Sequence, residues 1–220
     1  MTATQVSESA LSDARHAWVI GGALLMGSVV VSAPLSPYFG GGVIKAALFA
    51  AALVVFAFGI RGSGSVTARR PLGTTALVVL AAWVLLRSVV WGLPWVNAVE
   101  TDVLTDVGYV DSVVQLAAAL VAVVQIGRAG VVPRPWRWSP AWVLGAVVVP
   151  SLLGLLLFAV GGLQEQSQAL TLTMFVSALD GLARTVGPVF LGVLAIVLGD
   201  RLGRAQVAPV QVAPTQVEPR

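Results

Sequence analysis

Apolar runs of about twenty residues alternate with short polar connections along this chain, and the connections themselves alternate in charge. The runs cover 17–33, 43–60, 74–93, 109–127, 141–162 and 171–199. Each is about as long as a helix needs to cross a hydrocarbon core roughly 30 Å thick. The sixth exceeds that need, and its first third is expected to tilt or to lie along the interface. Proline ends the first run at Pro34 and Pro37, where a helix cannot easily continue.

Arginine marks every second connection. Arg61, Arg69 and Arg70 share one, Arg128, Arg134 and Arg137 the next, and Arg201 and Arg204 follow the last run. Between them lie Glu100, Asp102 and Asp106 in one connection and Glu165 in another. Arginine-rich short loops stay in the cytoplasm, so the alternation orients the chain. The expected fold is an all-α integral membrane protein of six transmembrane helices, with both termini cytoplasmic. The expected tails are residues 1–16 and a Pro-rich 204–220, in which Gln206-Val-Ala-Pro, Gln211-Val-Ala-Pro and Gln216-Val-Glu-Pro repeat. A competing reading makes the first run a cleaved leader ending at Val31-Ser32-Ala33, although its sixteen-residue, weakly basic lead is long for one.

Composition agrees. The chain is 57% hydrophobic and 10% charged, against roughly 25% charged residues in a soluble domain. The net charge is +3, and ten of twelve arginines fall in segments placed inside, so the basicity reports topology and not nucleic-acid binding. One lysine against twelve arginines, amid abundant Ala, Val and Gly, suggests a GC-rich bacterial genome, hence a plasma-membrane location. Trp18, Trp136, Trp138 and Trp142 fall near the inner boundary, and Trp91 and Trp95 near the outer one, as interfacial belts require. Trp83 falls in mid-span and fits neither belt.

Charges inside the runs are the main functional candidates, because each is costly in hydrocarbon. Counting about 1.5 Å per residue puts Lys45, Arg87 and Arg184 roughly 20–22 Å above the inner boundary. Asp111 falls at about 24 Å, with Gln115 one turn deeper, and Asp180 at about 28 Å. These six residues are expected to share one layer in the outer third, as a binding cluster or as helix-packing pairs. Asp180 and Arg184 have the spacing of an intrahelical ion pair, and Arg87 is within reach of Asp111 if the third and fourth runs are antiparallel neighbours. Long cationic side chains also snorkel to headgroups. Pro150 and Pro188 are candidate kinks. Close helix packing is expected at Gly22, Gly27, Ala47, Ala51, Gly145, Gly154 and Gly192. Gly199 and Gly203 form a Gly-x-x-x-Gly pair at the boundary, a minor pointer to a homo-oligomer.

No catalytic residue, metal or cofactor is expected. His16 is the only histidine and cysteine is absent, which removes a serine–histidine pair, a His-rich metal site and thiolate chemistry. Walker, His-Glu-x-x-His and Gly-x-Gly-Asp motifs are missing. Asp180-Gly181-Leu182-Ala183-Arg184 resembles the Asp-Gly-x-x-Ala-Arg core of the CDP-alcohol phosphatidyltransferases, which would imply a metal pair held by four acids. One spacer residue is missing, Ser177 stands where a first Asp is needed and Ile196 falls near a third, so that site is not carried over. The expected role is that of a non-enzymatic partner or regulatory membrane subunit, in contact with the bilayer and with other subunits or copies of itself. The alternative is a small transporter or a lipid- or solute-binding permease built on the charged layer.

Overall fold

A computed structural model describes residues 3–31, 41–60, 63–68, 70–93, 101–133, 136–161 and 166–207, without the side chains of 3–11, 41, 101–106, 155, 157–161, 166–170, 173 and 202–207. Among these residues the chain is all-helical. Its helices are α1 (Ala3–Val30), α2 (Gly41–Phe58), α3 (Pro71–Trp91), α4 (Thr101–Ala129), α5 (Ser139–Gly161) and α6 (Gln166–Val207), with a 3₁₀ turn at Trp136–Trp138. Among the described residues, three segments are long and apolar enough to cross a membrane: Pro71–Trp91, Val107–Ala129 and Met174–Arg201. The apolar stretch Gly42–Phe58 is shorter.

Helix limits differ from the apolar runs where local chemistry extends or stops them. α1 starts at Ala3, inside the segment expected to be a tail, because nothing before Gly21 breaks a helix. α4 starts at Thr101, so Asp102 and Asp106, expected in the connection, belong to the helix. α3 begins at Pro71, whose missing N–H costs nothing in a first turn. α6 runs to Val207, two residues short of Pro209, so helix occupies part of the expected C-terminal tail. The repeats beyond it, Pro34 to Pro37, Trp95, Glu100, Glu165, Arg61, Arg69 and Arg134 lie outside the described residues.

The helices pack in chain order, α1 on α2, α2 on α3, α3 on α4 and α5 on α6, and α6 returns to α1 in the most extensive interface. The seam between α4 and α5 is thinner than those of α1–α2, α2–α3, α3–α4 and α5–α6. Glycine explains the α1–α6 contact. A Cβ on Gly22 would lie 2.5 Å from the Gly192 carbonyl oxygen, and one on Gly192 would lie 2.8 Å from that of Gly22. Both must lack a side chain for the backbones to come this close. Gly199 packs on Trp18 of α1 within the same chain. Gly154 faces Val176, whereas Gly27 and Gly145 face open space and Ala47 and Ala51 are exposed, so these four do not serve the packing expected of them.

The core gathers at the arginine-loop end. Trp18, Val66, Ile126, Val132, Ala195 and Leu198 form one buried cluster, with Phe56 packed against it. Trp18 is 5% exposed and meets Phe56 edge to face at 6.3 Å, so it belongs to the core and not to an interfacial belt. The loop after α2 folds into this end. The Val66 N–H bonds to the Phe56 carbonyl, the Ser65 hydroxyl donates to the Ala57 carbonyl at 2.6 Å, and Thr67 is completely buried 3.2 Å from Ser65. Gly59 turns the chain at φ +70°, where a Cβ would strike the Ser63 carbonyl.

Away from that end, α3 to α6 spread their apolar surface outward. All buried residues of α3 lie in its first half, between Gly73 and Ala81. Leu86, Val89, Val113, Leu116, Leu120, Leu152, Leu156, Phe175 and Leu182 are exposed. Surface this apolar is unsuited to water and suited to lipid or to another apolar helix.

Candidate functional site

The charged layer resolves into two separate assemblies and an isolated lysine. The first joins α3 to α4 around Asp111, which is 7% exposed and is the one buried residue among those described in the first half of α4. Arg87 and Trp83 come from α3, and Asp111 and Gln115 from α4. The Trp83 indole N–H donates to Oδ1 of Asp111 at 2.7 Å, and the Gln115 amide donates to the same oxygen at 2.8 Å. The Arg87 guanidinium approaches Oδ2 at 3.2 Å. Both carboxylate oxygens are therefore occupied by donors, as a buried charge requires.

Helix geometry explains the arrangement. Trp83 and Arg87 are four residues apart on α3, as Asp111 and Gln115 are on α4, so each helix presents two groups on one face. Arg87 is half-exposed while its head meets the acid.

The second assembly joins α5 to α6. Asp180 accepts from Arg184 one turn along α6, with Nε at 2.7 Å from Oδ2, and from the Ser151 hydroxyl of α5 at 2.8 Å on Oδ1. The same hydroxyl lies 2.9 Å from the Val147 carbonyl, so the two acceptors share its single proton. Pro150 precedes Ser151, and Pro188 stands one turn beyond Arg184. Each lies inside a helix that continues through it, leaving the carbonyls of Ala146 and Arg184 without their usual helical donor. α5 and α6 run antiparallel, with Ser151 against Asp180 and Val143 against Gly187, so both prolines lie on the arginine-loop side of the Ser151–Asp180 contact. Gly187 lets α6 approach α5 here, since a Cβ on it would lie 2.7 Å from Val143.

Among the described residues, no hydrogen bond or ion pair links the two assemblies, and Lys45 is exposed without a partner. A single six-residue cluster is not what the helices build. Two members escaped the count of charges. Trp83 carried a signal, since a mid-span tryptophan outside both belts needs a partner for its N–H. Ser151 carried a fainter one, a hydroxyl directly after a mid-helix proline.

At the opposite end, Trp136, Trp138 and Trp142 are exposed beside the arginine-bearing turn, and the Arg137 guanidinium bonds to the Gly127 carbonyl. His16 pairs through Nδ1 with the Ser12 carbonyl oxygen at 2.7 Å.

These features define the class: an all-helical protein with three candidate membrane spans and paired charges between helices. Compared with protein-family profiles, with curated proteins and with solved structures, the chain matches none of them.

Proposed function

We propose that this chain is a non-enzymatic subunit of a membrane assembly. In this reading its six helices cross the bacterial plasma membrane with both termini inside, and its loosely packed half receives the apolar helices of other subunits. One observation carries the reading: burial in α3 is confined to the arginine-loop half, while Leu86 and Val89 of α3 and Val107, Val110, Val113 and Leu116 of α4 stay exposed. The charges support it from the other side. Asp111 and Asp180 are satisfied by donors of the same chain, which suits clamps holding α3 to α4 and α5 to α6 better than groups waiting for a substrate.

Native gel mobility in a mild detergent tests this reading. The wild type should run as a particle larger than one chain with its detergent shell. Val113→Trp or Leu120→Trp should release the 22.7 kDa chain, because a bulky apolar side chain is tolerated by lipid and not by a packed helix. A monomeric wild type would end the proposal.

A transporter or permease is the second reading, favoured by the mid-helix prolines Pro150 and Pro188 on the two helices that hold Ser151, Asp180 and Arg184. It requires Asp180→Asn to abolish a cellular phenotype of the wild-type chain while the variant stays folded and inserted.

A further inference from the structure

The α1–α6 interface opens at the arginine-loop end into a cleft of about 560 Å³ lined by Arg15, Val19, Ile196, Val197, Asp200 and Arg201. We infer that this cleft binds one anionic phospholipid, with the phosphate at the two arginines and the start of an acyl chain against Val19, Ile196 and Val197.

The order of the lining residues carries the inference. Arg15 and Val19 are one helical turn apart, as are Val197 and Arg201. The charged mouth therefore stands about 6 Å from the apolar floor on both walls, at 1.5 Å per residue. A phospholipid has the same sequence of chemistry over that depth, phosphodiester first and hydrocarbon next. Both helices pass here from polar sequence into apolar sequence, which places the mouth at headgroup level.

Charge selects the lipid. The lining holds two arginines and one carboxylate, Asp200, so the lining residues carry one net positive charge, the complement of a single phosphodiester. Arg15 contacts Asp200 through one terminal nitrogen at 3.4 Å, leaving the rest of its donor fork available. Among the described residues Arg201 is exposed and has no partner. A free phosphate would use the arginines alone and leave the apolar floor uncovered. The volume falls in the range of ligand sites, roughly 300–1,000 Å³.

The inference rests on the membrane reading of the chain and on neither of the Asp111 and Asp180 assemblies. Native mass spectrometry of the purified full chain in neutral detergent tests it, by titration with phosphatidylglycerol. One lipid should be retained. Arg15→Gln with Arg201→Gln should weaken retention about thirtyfold, at about 1 kcal/mol per arginine near a lipid surface. Val197→Trp, which fills the floor and keeps both arginines, should weaken it at least about tenfold. Phosphatidylcholine should bind at least about tenfold more weakly, and glycerol 1-phosphate should not displace the lipid.

Wild-type retention in the double arginine variant would overturn the proposal. So would wild-type retention in Val197→Trp, which would mean a general basic surface. Equal binding of phosphatidylcholine, or displacement by glycerol 1-phosphate, would overturn it too. Val197 is exposed, so its variant keeps the test decisive if the arginine variant fails to fold. An error in topology would appear separately, as wrong-sided thiol labelling.

Discussion

Trp83 donates its indole N–H to Asp111 at 2.7 Å, from one helix to the next, and so ties a mid-span tryptophan to the buried carboxylate of α4. Trp83→Phe keeps most of the ring and removes the donor. It should destabilise the protein by about 1–3 kcal/mol, because a buried acceptor loses a partner. Unfolding of the purified chain in mixed detergent micelles measures this, and an unchanged midpoint would assign the contact no energetic role.

Arg87 and Asp111 should be energetically coupled. Arg87→Ala leaves a buried carboxylate with two neutral donors, and Asp111→Asn turns an amide toward a guanidinium. The double variant should cost less than the two single costs combined, by about 0.5–3 kcal/mol in a double-mutant cycle. Additive losses would mean that Arg87 contributes by snorkelling alone.

Gly22→Val should destabilise α1 against α6 by about 1–3 kcal/mol or more, since its Cβ would press on the Gly192 carbonyl. Gly145→Ala, which meets open space, should be neutral or stabilising by about 0.5–1 kcal/mol through helix propensity. Equal effects at both sites would contradict the observed contact.

The loop after α2 should depend on its hydroxyls. Thr67→Val preserves shape and removes one hydrogen-bond partner of Ser65 at a fully buried position, with an expected cost of about 1–3 kcal/mol. Faster proteolysis within 59–70 would report the same loss.

Topology is open to direct labelling, because the chain has no cysteine. Leu104→Cys should react with an impermeant maleimide from outside the cell. Val131→Cys should react only after permeabilisation. Val131 is 40% exposed while its neighbour Val132 is 6% exposed, so a cysteine at 132 would stay silent from either side. The reverse pattern would invert the orientation.

Much of this organisation was legible in the chain. Run length and proline placed six helices, and three of them are candidate spans. Arginine alternation separated the end that holds the core from the end that spreads. Counting depth also raised Asp111, Arg87, Asp180 and Arg184 above the other charges. Trp18 was misplaced because a tryptophan at a boundary reads the same whether it faces lipid or a neighbouring Phe56. Gly27 and Gly145 were over-read for a related reason: glycine spacing does not say which side of a helix has a neighbour.

Sequence by itself determined class, element order and height along the helix axis, because hydrophobic length and the placement of charge act through the local chain. Tertiary structure decided rotation about that axis. Helices apolar on every side carry no stripe to mark an inward face, so only packing could turn Trp83 toward Asp111 and Gly22 toward Gly192. Packing likewise divided a single layer of charge into two bonded assemblies and left Lys45 outside both.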